Sequence, residues 1–164
     1  MKKMMLALTF AMALSVLAGC GAAGGTRSDG TEQIANPFVD CTDMTAASKV
    51  AGFTMTLPPE VAAVEKACTY SAIKDSMIQV VYIADDGRTV TLRKGAGTEP
   101  IDGDYNTYEH ETTQDVAGMK VKLRGDGDTI ATASWTSGGY AFAVVAIDAP
   151  LPSERMIALV EGLG

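Results

Sequence analysis

From Cys68 to Ile147 apolar and polar side chains alternate with a period of two, the pattern of strands that bury one face and wet the other. Residues 77–84 and 88–94 flank Asp86-Gly87, a dipeptide suited to the left-handed backbone of a two-residue hairpin turn. Closed that way, the hairpin sets Ile83 opposite Val90 and Val81 opposite Leu92. The segment 107–114 passes through Asp115-Val116-Ala117-Gly118 into 119–124, and a four-residue loop there pairs Glu111 with Lys122 and Glu109 with Arg124. Met119, Val121 and Leu123 alternate with Lys120, Lys122 and Arg124, which predicts one dry and one wet face. After Gly125-Asp126-Gly127-Asp128, residues 129–136 and 140–147 enclose Gly138-Gly139, a turn that sets Trp135 across from Phe142 and Ala133 across from Val144.

Two flanking stretches carry helical spacing instead. In 41–52, Thr42 is the expected N-cap, Asp43 lies in the first turn, and Met44, Ala47, Val50 and Ala51 share one side before Gly52 stops the helix. Residues 53–57 alternate Phe53, Met55 and Leu57 with threonines and end at Pro58-Pro59, as a short edge strand does, and 60–67 reads as a helical turn. Ser153 is the expected N-cap of a closing helix whose stripe is Met156, Ile157, Leu159, Val160 and Leu163. The expected fold class is α+β: an antiparallel β-meander with a short N-terminal helix and a C-terminal helix packed on one face.

The N-terminus reads as an address. Lys2 and Lys3 precede the apolar run 4–16, and Leu17-Ala18-Gly19-Cys20 follows, the form of an export signal. The run is shorter than the roughly 20 residues needed to span a bilayer. The tetrad resembles the bacterial lipobox, which implies cleavage after residue 19 and acylation of Cys20, with palmitate-class chains as a lasting membrane anchor. Residues 20–35 then form a flexible tether, rich in small and polar residues without a period, and 36–164 a single domain.

Charge and composition narrow the function classes. A net charge of −7 disfavours a nucleic-acid partner, and it becomes more acidic once Lys2 and Lys3 leave with the signal. The apolar fraction of 47% excludes a disordered chain. With Cys20 acylated, Cys41 and Cys68 remain as an even pair in an oxidising compartment, and a disulfide between them is expected to stabilise the fold by about 3–4 kcal/mol. Two buried free thiols and a metal site are the rival readings, the second weakened by the lone His110 and the absence of any C-x-x-C.

Candidate chemistry is sparse. Asp102, Asp104 and Asn106 have the D-x-D-x-N opening of a calcium loop, but Thr107 and Thr113 stand where that loop needs Gly and Glu. Turn formation is the bland alternative, and a weak Ca²⁺ or ligand site the sharp one. Arg93, Lys94, Lys120, Lys122 and Arg124 form a basic set that suits an anionic ligand, or else a solvated face paired with acids. His110, the single histidine, is expected on the Leu123 side of the sheet as a half-buried side chain. No nucleophile elbow, phosphate loop or zinc-protease motif accompanies these residues, so no catalytic residue and no cofactor is assigned.

Three stretches, 36–53, 92–97 and 101–108, together resemble a family of bacterial lipoproteins with a C-terminal domain of unknown function, which also occurs on extracytoplasmic tails of anti-sigma-like membrane proteins. The residues that carry the resemblance are Asn36, Pro37, Gly52, Phe53, Arg93, Lys94, Gly103, Asp104, Tyr105, Asn106 and Trp135. It implies an exported α+β domain and no activity. The expected role is a non-enzymatic ligand- or protein-binding or sensing domain, anchored outside the cytoplasm by the lipid on Cys20. The partner would be an envelope protein or small ligand. A lipid or lipopeptide carrier with an apolar cavity, or an unrecognised hydrolase, is the alternative.

Overall fold

The computed structural model describes residues 36–164, so the signal, Cys20 and the tether lie outside the described residues. Among those described, the chain is mostly an antiparallel sheet with three α-helices. In order it forms β1 (Val39–Cys41), α1 (Met44–Ala51), α2 (Pro59–Ala62), a 3₁₀ turn (Glu65–Ala67), β2 (Thr69–Ile73), β3 (Met77–Ile83), β4 (Thr89–Ala96), β5 (His110–Val116), β6 (Met119–Asp126), β7 (Thr129–Ser137), β8 (Tyr140–Val145), β9 (Leu151–Pro152) and α3 (Ser153–Gly162). The spatial order β1-β2-β3-β4-β8-β7-β6-β5 joins two four-stranded meanders at the β4–β8 contact, and β9 pairs with β7. The expected single meander is therefore two, sharing a central seam.

Turn lengths set the registers, and two of them correct the sequence reading. At Asp86-Gly87 the loop holds three residues, not two: Ala84 N–H donates to Arg88 O, Gly87 N–H donates back to Ala84 O, and Gly87 takes the left-handed conformation. Val80 therefore faces Leu92 and Tyr82 faces Val90, while Ile83 points outward at 68% exposure. A slip of one residue exchanges the faces of a strand. Between β5 and β6 the loop is two residues, Ala117 (φ 51) and Gly118 (φ 83), not four. Glu111 lies opposite Arg124, and its ion pair with Lys122, 2.7 Å, is diagonal. Slipping by two preserves the faces, so His110 does share the Leu123 side. At Gly138-Gly139 the expected pairs Trp135–Phe142 and Ala133–Val144 form, with the two rings stacked 5.3 Å apart.

One sheet face is apolar. Ile78, Val80, Val90, Leu92, Leu123, Ala133 and Val144 are buried there and belong to one core cluster with Ala47 and Ala51 of α1 and Met156, Leu159 and Val160 of α3. Met156, Leu159, Val160 and Leu151 show 0% exposure, so these contacts are filled by side chains. The N-cap of α1 is Asp43, not Thr42: its carboxylate accepts the Ala46 N–H at 2.8 Å, and Gly52 ends the helix at φ 81. Proline at 152 precedes α3, so Ser153 starts that helix without a side-chain cap. The 53–57 segment is not a strand. Gly164 clasps it instead through Thr56, and Gly162 passes so near Pro58 that a Cβ there would lie 2.8 Å from the proline Cα.

Candidate functional site

The opposite face carries charged and small residues. Arg93 on β4 faces Ala143 on β8, Ala143 faces Ser134 on β7, and Ser134 faces Lys122 on β6. Because β4 is central and β5 lies at the edge, the connection 97–109 must cross over β8, β7 and β6 to reach the far end of the sheet. This strap has no periodicity that would let it pair as a strand. Its course is set by side-chain-to-backbone turns: Asp102 Oδ1 accepts the Asp104 N–H at 3.0 Å, and Asp104 Oδ1 accepts the Asn106 N–H at 3.0 Å and the Asn106 amide at 2.8 Å.

Two arginines rising from the sheet fasten the strap. Arg124 donates to the Asp104 carbonyl and to the Thr132 hydroxyl, and its Nη2 lies 3.2 Å from both the Asp102 and the Asp104 carboxylate. The Asp104 side chain is fully buried, and Tyr108 Oη donates to its other oxygen at 2.7 Å. Burial, and then the hydrogen bond to Asp104, push the Tyr108 phenol above its ordinary range. Arg93 donates from Nε to Gln79 at 2.9 Å and from Nη1 to the carbonyls of Ile101, 2.9 Å, and Asp102, 2.7 Å. Gly103 crosses directly over it: a Cβ would stand 2.7 Å from Nη1, and φ is 67.

Alongside the strap lies a half-open groove of about 490 Å³. Its apolar wall is Phe38, Ile73 and Met77, its polar wall Arg93, Lys122, Arg124 and Ser134, and its lip the strap itself, with Tyr105 at 97% exposure. No family model, no curated protein and no solved structure matches the chain.

The expected site residues divide among several places. Asp102, Asp104 and Asn106 are together, and the Arg124 guanidinium lies beside both carboxylates. Asp104 already accepts from the Asn106 backbone, the Asn106 amide and Tyr108, so these residues form an internal lock, in keeping with the turn reading. The basic set is split across both faces. Arg93 and Arg124 hold the strap, Lys122 and Lys120 pair with Glu111 and Asp115 at 2.7 and 3.2 Å, and Lys94 lies on the other side among Tyr140, Phe142 and Phe53. Its ammonium is 4.7 Å from the Tyr140 ring centre, and burial lowers its pKa. His110 is exposed, not half-buried, because β5 is an edge strand.

The expected disulfide is also corrected. Cys41 faces Tyr70, and Cys41 and Cys68 are both free thiols hydrogen-bonded to local carbonyls, Cys41 to Val39 and Cys68 to Val64. Burial raises the pKa of each thiol.

A second polar cluster escaped the sequence reading. Tyr82 Oη donates to Glu60 at 2.6 Å, and Arg155 joins Glu60 at 3.3 Å to Asp86 at 2.7 Å, with Arg88 also on Asp86. It ties α2 and α3 to the β3–β4 turn, and its partners are too far apart in the chain for spacing to reveal them.

Proposed function

We propose that residues 36–164 form a non-enzymatic binding or sensing domain, held on the extracytoplasmic side of a bacterial membrane by lipid on Cys20 and using the strap groove as its ligand site. In this reading the helices cover the apolar face and leave the polar face to the strap and the ligand. The observation that carries it is the groove: apolar on one wall, cationic on the other, edged by an exposed tyrosine, and of a volume usual for small-ligand sites. The lipobox and tether support the location, and the resemblance to lipoproteins with a C-terminal domain of unknown function agrees with both.

Two measurements test the two parts. Metabolic labelling with a fatty-acid analogue should mark the protein and Cys20→Ser should abolish the mark and release the domain from membranes; an unlabelled, freely soluble wild type overturns the anchor. Titration of isotope-labelled protein with an extract of its host's membranes should shift amide resonances of 101–105 and Met77, and shifts confined elsewhere overturn the groove as the site.

A further inference from the structure

Arg93 is held differently from its companion. Arg124 has two carboxylates within 3.2 Å, whereas every protein acceptor on Arg93 is neutral: the Gln79 amide and the Ile101 and Asp102 carbonyls. Those three bonds use Nε and Nη1 and leave the two Nη2 hydrogens without a protein partner among the described residues. Desolvation lowers the Arg93 pKa, and the Asp102 charge offsets this only in part. The groove that Arg93 lines continues to Phe38 and Met77, and the Ser134 hydroxyl lies on the same wall. Asp102 and Asp104 also line it, so Arg93, which forms no close ion pair among the described residues, can take one negative charge while a second would meet carboxylates.

Resting on the groove reading above, we infer that the site takes a monoanionic carboxylic acid with a compact apolar body, its carboxylate on Arg93 Nη2 and its body against Phe38 and Met77. An Nη2 N–H can donate one charge-assisted hydrogen bond to a carboxylate oxygen, shorter and stronger than a bond to a neutral acceptor.

The test uses 4-phenylbutyrate, its neutral amide and acetate as probes on isotope-labelled protein. The acid should shift the groove amides with at least tenfold higher affinity than the amide, and acetate, lacking the body, should bind at least tenfold more weakly than the acid. Met77→Glu places a carboxylate two residues from the strand partner of Arg93 and should abolish binding of the acid without lowering the thermal midpoint. Should that variant fail to fold, Arg93→Gln should equalise acid and amide. Equal affinity of acid and amide for the wild type overturns the charge requirement while leaving the groove as the site. If neither binds but a membrane extract moves the same amides, this inference falls alone; if nothing moves them, the groove reading falls with it.

Discussion

Arg124→Met removes the cation that lets two carboxylates lie under the strap. The Arg124 side chain is 10% exposed, Asp102 13% and Asp104 0%, so the carboxylates left behind are largely shielded from water. Methionine keeps most of the apolar stem, which isolates the charge and its hydrogen bonds from packing. Breaking a buried pair from one side costs about 3–5 kcal/mol, because the remaining charge stays desolvated. For a domain of this size that lowers the thermal midpoint by about 10–20 °C. Asp104→Asn keeps acceptor capacity while removing one charge, so it should cost less alone and should recover about 2–3 kcal/mol when combined with Arg124→Met. Urea unfolding followed by circular dichroism, at low salt and with 0.5 M NaCl, measures all four proteins. The Arg124→Met difference should persist in salt, since a buried pair is poorly screened. A cost under about 1 kcal/mol, or effects of the two substitutions that simply add, refutes the lock.

Gly103→Ala should cost about 1–3 kcal/mol in the same unfolding assay, from its φ of 67 and from the approach of the new Cβ to Arg93; a neutral result removes the claim that the strap needs glycine there. Tyr70 is pushed up to about 12 by burial and then by Cys68, and Tyr82 is raised by burial and then by Glu60. A phenol whose folded pKa lies above its free value of about 10 contributes stability below pH 10 that is lost as the pH rises through the folded value. Denaturation midpoints should therefore fall between pH 10 and 12, and less steeply in Tyr82→Phe; identical slopes count against the assignment. Cys41 and Cys68 should both take up a maleimide in non-reduced protein, with a faster rate as pH rises, and a crosslinked peptide joining them overturns the free-thiol assignment.

Sequence periodicity reached the strands of the second meander because Lys120, Lys122 and Arg124 alternate with strictly apolar neighbours, so only one face can be buried. It was ambiguous at 80–83, where Val80, Val81, Tyr82 and Ile83 are all apolar and the loop length alone decides which pair faces inward. The faces of β5 and β6 were legible, while their register was not, since a positive φ at Ala117 is unusual for alanine and a longer loop is the natural expectation. Asp102 to Asn106 read correctly as turn chemistry. What they turn around was hidden, because Arg93 and Arg124 reach them from strands on either side of the connection. Cys41 and Cys68 are free in the structure, so an even number and an expected oxidising compartment suggest a bond without supplying the geometry for one.

The strap is also the covalent junction between two halves of a sheet. The strands β1 to β4 are complete in the chain before residue 97, yet the open side of β4 is closed only by β8, which begins at Tyr140. A chain emerging from its N-terminus thus holds a finished meander with a bare inner border until more than forty further residues have followed. Such a border invites pairing with neighbouring copies, and a late, long-range closure slows folding. The same layout suits division: fragments separated within the strap would each carry a whole meander, with the β4–β8 border as the line along which they could rejoin.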